Sequence, residues 1–148
     1  MNLEAVEDCL HRAAEQSSVW AVIREAAEAT WVIVLADESI VDVAYDEAHA
    51  ELLFRAELGL VNDAMQRSAI NDLILRCNGV IPVPTITLTQ DQRYELLATW
   101  LIEPDAPQPL GAYLDDMASQ VSLWREVVNQ PMAAGARAST VTEMGLFA

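Results

Sequence analysis

From Thr30 to Leu58 the sequence takes the pattern of strands, short apolar or alternating runs broken by turn residues, and segments of helical period flank this stretch on both sides. A chain patterned this way is restricted to a sheet with helices laid on it. Trp31-Val32-Ile33-Val34-Leu35 is β-branched and aromatic, and Asp37-Glu38-Ser39 then turns the chain. In the next strand Val41, Val43 and Tyr45 alternate with Ile40, Asp42 and Ala44, and Asp46 to His49 make the following reversal. The third strand places Leu52, Phe54, Ala56 and Leu58 on one face and Glu51, Leu53, Arg55 and Glu57 on the other, because successive strand side chains point to opposite sides. It ends at Gly59.

The segment from Asn2 to Glu28 contains neither Pro nor Gly and spaces Leu3, Val6, Leu10, Ala13 and Ala14 at helical intervals. It is predicted to be helical throughout. Gln16-Ser17-Ser18 interrupts the pattern, and Ser18 is a candidate cap for a second helical stretch carrying Val19, Val22, Ile23 and Ala26, so one kinked helix and two short ones are both open. Asn62 is the candidate N-cap of a middle helix running to Cys77, with Met65, Ala69, Ile70, Leu73, Ile74 and Cys77 as its apolar face and Leu75 off that face. A second hairpin follows, from Thr85 to Ile102, turning at Gln90 to Arg93. Pro104, Pro107 and Pro109 lead into a last helix with the stripe Leu110, Tyr113, Leu114, Met117, Val121, Trp124 and Val128.

The predicted order is therefore α-βββ-α-ββ-α: an α+β fold with helices packed on an antiparallel twisted sheet, in one domain spanning residues 1–130. Beyond Pro131 the sequence is small and aperiodic, and residues 131–148 are expected to form a mobile tail. With 148 residues the chain is long enough to bury a proper core unaided.

The eight basic residues are all arginine and oppose 23 acidic ones, for a formal charge of −15. Such a chain is repelled by nucleic-acid backbones and anionic lipid, so neither nucleic-acid binding nor membrane insertion is expected. Yet 53% of the residues are hydrophobic, too many for a disordered acidic chain. Composition alone fits a well-buried core under a solvated acidic surface, and it also suits a protein that stays soluble while keeping apolar surface available for partners. Acidic residues at the N-terminus stand where an export signal would need basic ones, and two cysteines, Cys9 and Cys77, fit a reducing compartment. The expected location is the cytoplasm.

Chemistry is hard to find in this sequence. His11 and His49 lack the cysteine or histidine spacing of a metal centre, and the five glycines are too scattered to cradle a phosphate. Asp115 and Asp116 are neighbours, hence not on one helix face, and are read as polar decoration of the last helix. No catalytic residue, metal or cofactor is expected.

The element order, with Leu58-Gly59 ending the third strand, a middle helix closing on Leu75-Arg76-Cys77-Asn78 and a final helix carrying Leu123-Trp124-Arg125, resembles the class I type III secretion chaperones over roughly Leu3 to Asn129. The region from Val19 to Ala29 departs from the family, which has a short Gly- or Pro-containing link there. The resemblance implies a homodimeric bacterial protein that binds the N-terminal segment of a secreted effector, keeps it extended and delivers it without using ATP. An interaction module of the same build with no secretory role is the alternative. On the chaperone reading, Leu3, Val6, Leu10, Val32, Val34, Leu52 and Phe54 are the candidate client contacts. Met65, Ile70, Leu75, Leu97 and Leu101 are the candidate dimer contacts.

Overall fold

The computed structural model describes residues 2–25, 28–78, 85–102 and 108–130. Helix α1 (Leu3–Glu15) is followed by strands β1 (Ala21–Arg24), β2 (Thr30–Val34), β3 (Ile40–Asp46) and β4 (Glu51–Leu60). Helix α2 (Ala64–Asn78), strands β5 (Thr85–Leu88) and β6 (Arg93–Leu101) and helix α3 (Leu110–Asn129) complete the domain. The six strands form one antiparallel sheet in the order β1-β2-β3-β4-β6-β5. This is the α+β fold anticipated from the periodicity, with one strand more than expected.

The extra strand corrects the helix predicted up to Glu28. Helix α1 stops at Glu15, and Ala21–Arg24 pairs with β2, Ala21 opposite Val34 and Ile23 opposite Val32. The apolar run Val19-Trp20-Ala21-Val22-Ile23 is continuous, so periodicity alone does not separate helix from strand. Its β-branched residues pack readily on a pleated surface, and the free edge of β2 supplies that surface. Ser18 caps no helix: its amide and hydroxyl both donate to Asp115 Oδ1, at 2.8 and 2.9 Å. Asp115 is therefore the peg that ties the α1–β1 link to α3, rather than surface decoration.

Other boundaries move by a residue. Asp63, not Asn62, serves the start of α2, its carboxylate accepting from the amides of Met65 at 2.8 Å and Gln66 at 3.4 Å. The helix ends at Asn78, and Gly79, the predicted terminator, lies outside the described residues, as does the 131–148 tail.

The core lies on one face of the sheet. Trp31, Ile33, Val41, Val43, Leu52, Phe54, Ala56, Leu58, Tyr94 and Leu96 point into it and are buried. From the other side come Val6 and Leu10 of α1 and Leu114, Val121 and Val128 of α3, all nearly inaccessible to solvent. Each side chain of this size contributes about 1.5–3 kcal/mol by leaving water. Helix α2 lies near the β6 end of this layer. The Tyr94 hydroxyl donates to Asn71 Oδ1 at 2.6 Å, and Gln66 Nε2 donates to the carbonyls of Val128 and Gln130.

Where β4 ends, a β-bulge between Glu57 and Gly59 shifts the register against β6. Gly59 adopts φ +154°, and a Cβ there would stand 2.7 Å from Asn129 Oδ1 and 2.9 Å from Val128 Cγ1. Asn129 Nδ2 donates to Leu58 O at 2.9 Å, so the end of α3 is latched to this bulge. Gly59→Ala is expected to lower stability by roughly 2–3 kcal/mol, through backbone strain and the lost latch. Urea denaturation followed by tryptophan fluorescence measures it, and a change below about 0.5 kcal/mol would mean that the latch contributes little.

Candidate functional site

The face of the sheet turned away from α1 and α3 is the unusual surface. An antiparallel sheet with one solvated face normally alternates apolar-in with polar-out. In β4 the burial alternates as expected, yet Leu53 on the outer side is a large apolar residue, 37% exposed. Ile23 of β1 (55% exposed), Ile40 of β3 (55%), and Leu97 (37%) and Leu101 (47%) of β6 share that face. Val32 and Val34 of β2 join them, half-buried by one another's neighbours.

The register resolves this face into rows. Ile23, Val32, Asp42, Arg55 and Leu97 stand side by side across five strands, and Thr30, Ala44, Leu53 and Thr99 form the next row. A concavity of about 570 Å³ opens over the second row and over Asp42, Arg55 and Leu97 of the first. Charges interrupt the first row, where Arg55 reaches Asp42 at 3.3 Å and Glu95 at 3.6 Å, and Arg93 pairs with Glu57 beyond it, while the second row crosses the sheet uncharged through Leu53. These exposed ion pairs add at most about 1 kcal/mol each.

A second apolar feature belongs to α2, where Met65 and Leu75 are each 72% exposed. A third is the β1 edge, bordered by Trp20 at 66% exposure. Short edge strands leave backbone donors and acceptors available to another chain.

The sequence-derived contact residues fall into two groups. Val6, Leu10, Leu52 and Phe54 are core: at 0 to 1% exposure they present nothing to a client, and Ile70, at 0%, presents nothing to a second subunit. Their periodicity was that of a buried face, which sequence cannot distinguish from a binding stripe. Leu3 is half-buried at the start of α1. Val32, Val34, Leu97 and Leu101, expected to serve two different partners, are brought onto one open sheet face. Trp20, Ile23 and Ile40 were missed. The first two were assigned to a helix, and Ile40 went unremarked as the odd member of an alternating strand.

The titratable groups offer little reactivity. Burial pushes the thiols of Cys9 and Cys77 above their ordinary value, which keeps them protonated and poorly nucleophilic. Asp46, His49 and Glu51 gather at the β3–β4 turn within reach of a common cation. Asp46 already accepts there from the His49 amide at 3.3 Å and lies 2.8 Å from His49 Nδ1, contacts that account for the cluster as a turn.

No protein-family model matches the chain, and no curated protein matches its sequence. Among solved structures, a chain in the structure of the HopA1-SchA chaperone–effector complex aligns with a TM-score of 0.58 and 14% sequence identity. The alignment covers 82% of this chain and 93% of that one.

The Asp46–His49 contact yields a prediction. The hydrogen bond to Asp46 raises the His49 pKa above 6.5, and the hydrogen bond from His49 lowers the Asp46 pKa below 3.8. The histidine's share of the contact is complete below pH 6.5 and is lost as pH rises through the raised value; the aspartate's is present above pH 3.8 and is lost as pH falls through the lowered one. An NMR titration of His49 should show the raised pKa, and Asp46→Asn should return it toward the ordinary value. An unchanged titration in that variant would show that the turn does not couple the two groups.

The fold is thus one this chain shares with a chain of a chaperone–effector complex, an α+β domain with one sheet face packed and the other open.

Proposed function

We propose that the protein is a chaperone of the bacterial cytoplasm that binds the N-terminal region of a type III secreted effector, keeps it extended and aids its delivery to the secretion apparatus without hydrolysing ATP. The observation that carries this reading is the open sheet face with its large apolar side chains. The shared fold and the family resemblance of the sequence support it. An extended segment can be held by strand addition at a sheet edge together with apolar side chains set against a neighbouring surface. Ordering each residue of such a client costs about 1–2 kcal/mol in backbone entropy, so the contact must be extensive and apolar. Val32 and Val34 keep their assignment as client contacts, Ile23 and Ile40 join them, and Leu3 contributes at the adjoining helix.

A homodimer uses a second part of the exposed apolar surface. Met65 and Leu75 on α2 of one copy cover Leu97 and Leu101 on the open face of the other, and the two-fold axis repeats the contact. Ile70 supports α2 from inside the domain. A stable contact of this kind buries on the order of 1,600 Å² in total.

Two measurements test the reading. Co-expression with the product of the neighbouring reading frame, followed by affinity purification, should recover an exported protein, and Val34→Asp and Ile23→Asp should release it with little change in melting temperature. Retention of the client by both variants would sink the open-face assignment. Light scattering should show a dimer that Leu75→Glu and Leu97→Glu each dissociate, a charge at such a centre commonly costing more than ~2 kcal/mol. A monomeric parent protein at micromolar concentration would overturn the dimer.

A further inference from the structure

The two edges of the sheet are not equivalent. Strand β5 offers Thr85 and Thr87 on the open face, and Pro82 and Pro84 precede it in sequence, a common guard of sheet edges. Strand β1 contains neither proline nor lysine and offers Ala21 and Ile23 on the open face, with exposed Trp20 before it. Its one charged residue, Arg24, is drawn aside by Glu7 of α1 at 3.2 Å. Nothing in the residues of β1 discourages another strand.

The surroundings of this edge are acidic. Glu7 also lies 3.7 Å from His11, and Glu4 precedes it by one helical turn on α1. Glu25 follows β1 directly, its carboxylate accepting from Thr30 Oγ1 at 3.1 Å. Glu7 thus reaches the strand on its α1 side and is shared with Arg24, Glu4 stands one turn from Glu7 on the same helix, and Glu25 lies toward the open face beside Thr30. A strand added here places alternate side chains on the open face, beside Ile23 and Val32, and the others on the α1 side, beside Glu7.

Resting on the chaperone reading above, we propose that the client segment added along β1 alternates apolar residues, which cover Ile23 and Val32, with arginine or lysine residues, which meet Glu7 and Glu4. A second copy of this chain is a poor occupant, because pairing two β1 edges about a two-fold axis sets the same carboxylates against each other. An acidic segment meets the same repulsion, from a chain whose formal charge is −15.

Labelled synthetic peptides of about ten residues, alternating valine with arginine, serine or glutamate, test the proposal on the full-length protein by fluorescence anisotropy. The arginine peptide should bind at least about tenfold tighter than the glutamate peptide, and added salt should shrink the difference. Amide hydrogen exchange should show new protection from Trp20 to Glu25 and none from Thr85 to Leu88. Glu4→Gln and Glu7→Gln together should bring the two affinities to within roughly threefold, with the exposed Glu4→Gln alone as a milder control. Equal affinities for the peptides in the parent protein, or protection at β5 in place of β1, would overturn the inference. If an exported protein co-purifies while β1 gains no protection, this inference fails and the chaperone reading stands. Selective binding of the arginine peptide along β1 by a protein that recovers no exported partner leaves the edge chemistry standing and defeats the reading.

Discussion

The seating of α3 across the inner face of the sheet is the contact on which the rest depends. Leu114, Val121 and Val128 are buried there against β4 and β6, and both ends of the helix are pinned by polar contacts. Near its start Asp115 takes two hydrogen bonds from Ser18, which fixes where the chain leaves α1 and enters β1. At its end Asn129 reaches the carbonyl of Leu58 beside a bulge that admits no side chain at Gly59. Once α3 is placed, α1 packs beside it, and the inner face is closed to water.

Closing one face leaves the other without a helix over it among the described residues, whose three helices all lie on the inner side. The outer face is nevertheless studded with Ile23, Val32, Val34, Ile40, Leu53, Leu97 and Leu101. Exposed apolar patches of this kind on a folded domain mark places where another chain docks. The charge keeps such a surface soluble. With a formal charge of −15, copies of the protein repel one another at long range. Charges gathered around Arg55 interrupt this face between Val32 and Leu97.

The polar side chains that are held in place, such as Asp115, Asn129, Asn71 and Gln66, join elements of the fold to one another. Among the described residues, the groups with shifted acidity are thiols and phenols raised by loss of solvent, Asp37, lowered by its hydrogen bonding to Ser39, and the hydrogen-bonded Asp46–His49 pair in an exposed turn.

The sequence by itself determined the elements with clean periodicity and the face each of them buries. In β4 the alternation of Leu52, Phe54, Ala56 and Leu58 with Glu51, Leu53, Arg55 and Glu57 leaves one inner face, and the long stripe of α3 leaves one buried side. Period and composition are local, so they are legible in a single chain. The segment from Val19 to Arg24 has no period, and its state was decided by the free edge of β2, a partner that only the tertiary structure brings near it. Which apolar residues face the open side was undecidable for the same reason. Val6 and Val34 look alike as residues, yet one is sealed beneath α3's layer and the other lies on the open face. Which apolar residues become core depends on which face the helices cover, a property of the whole assembly of elements rather than of any segment's own pattern.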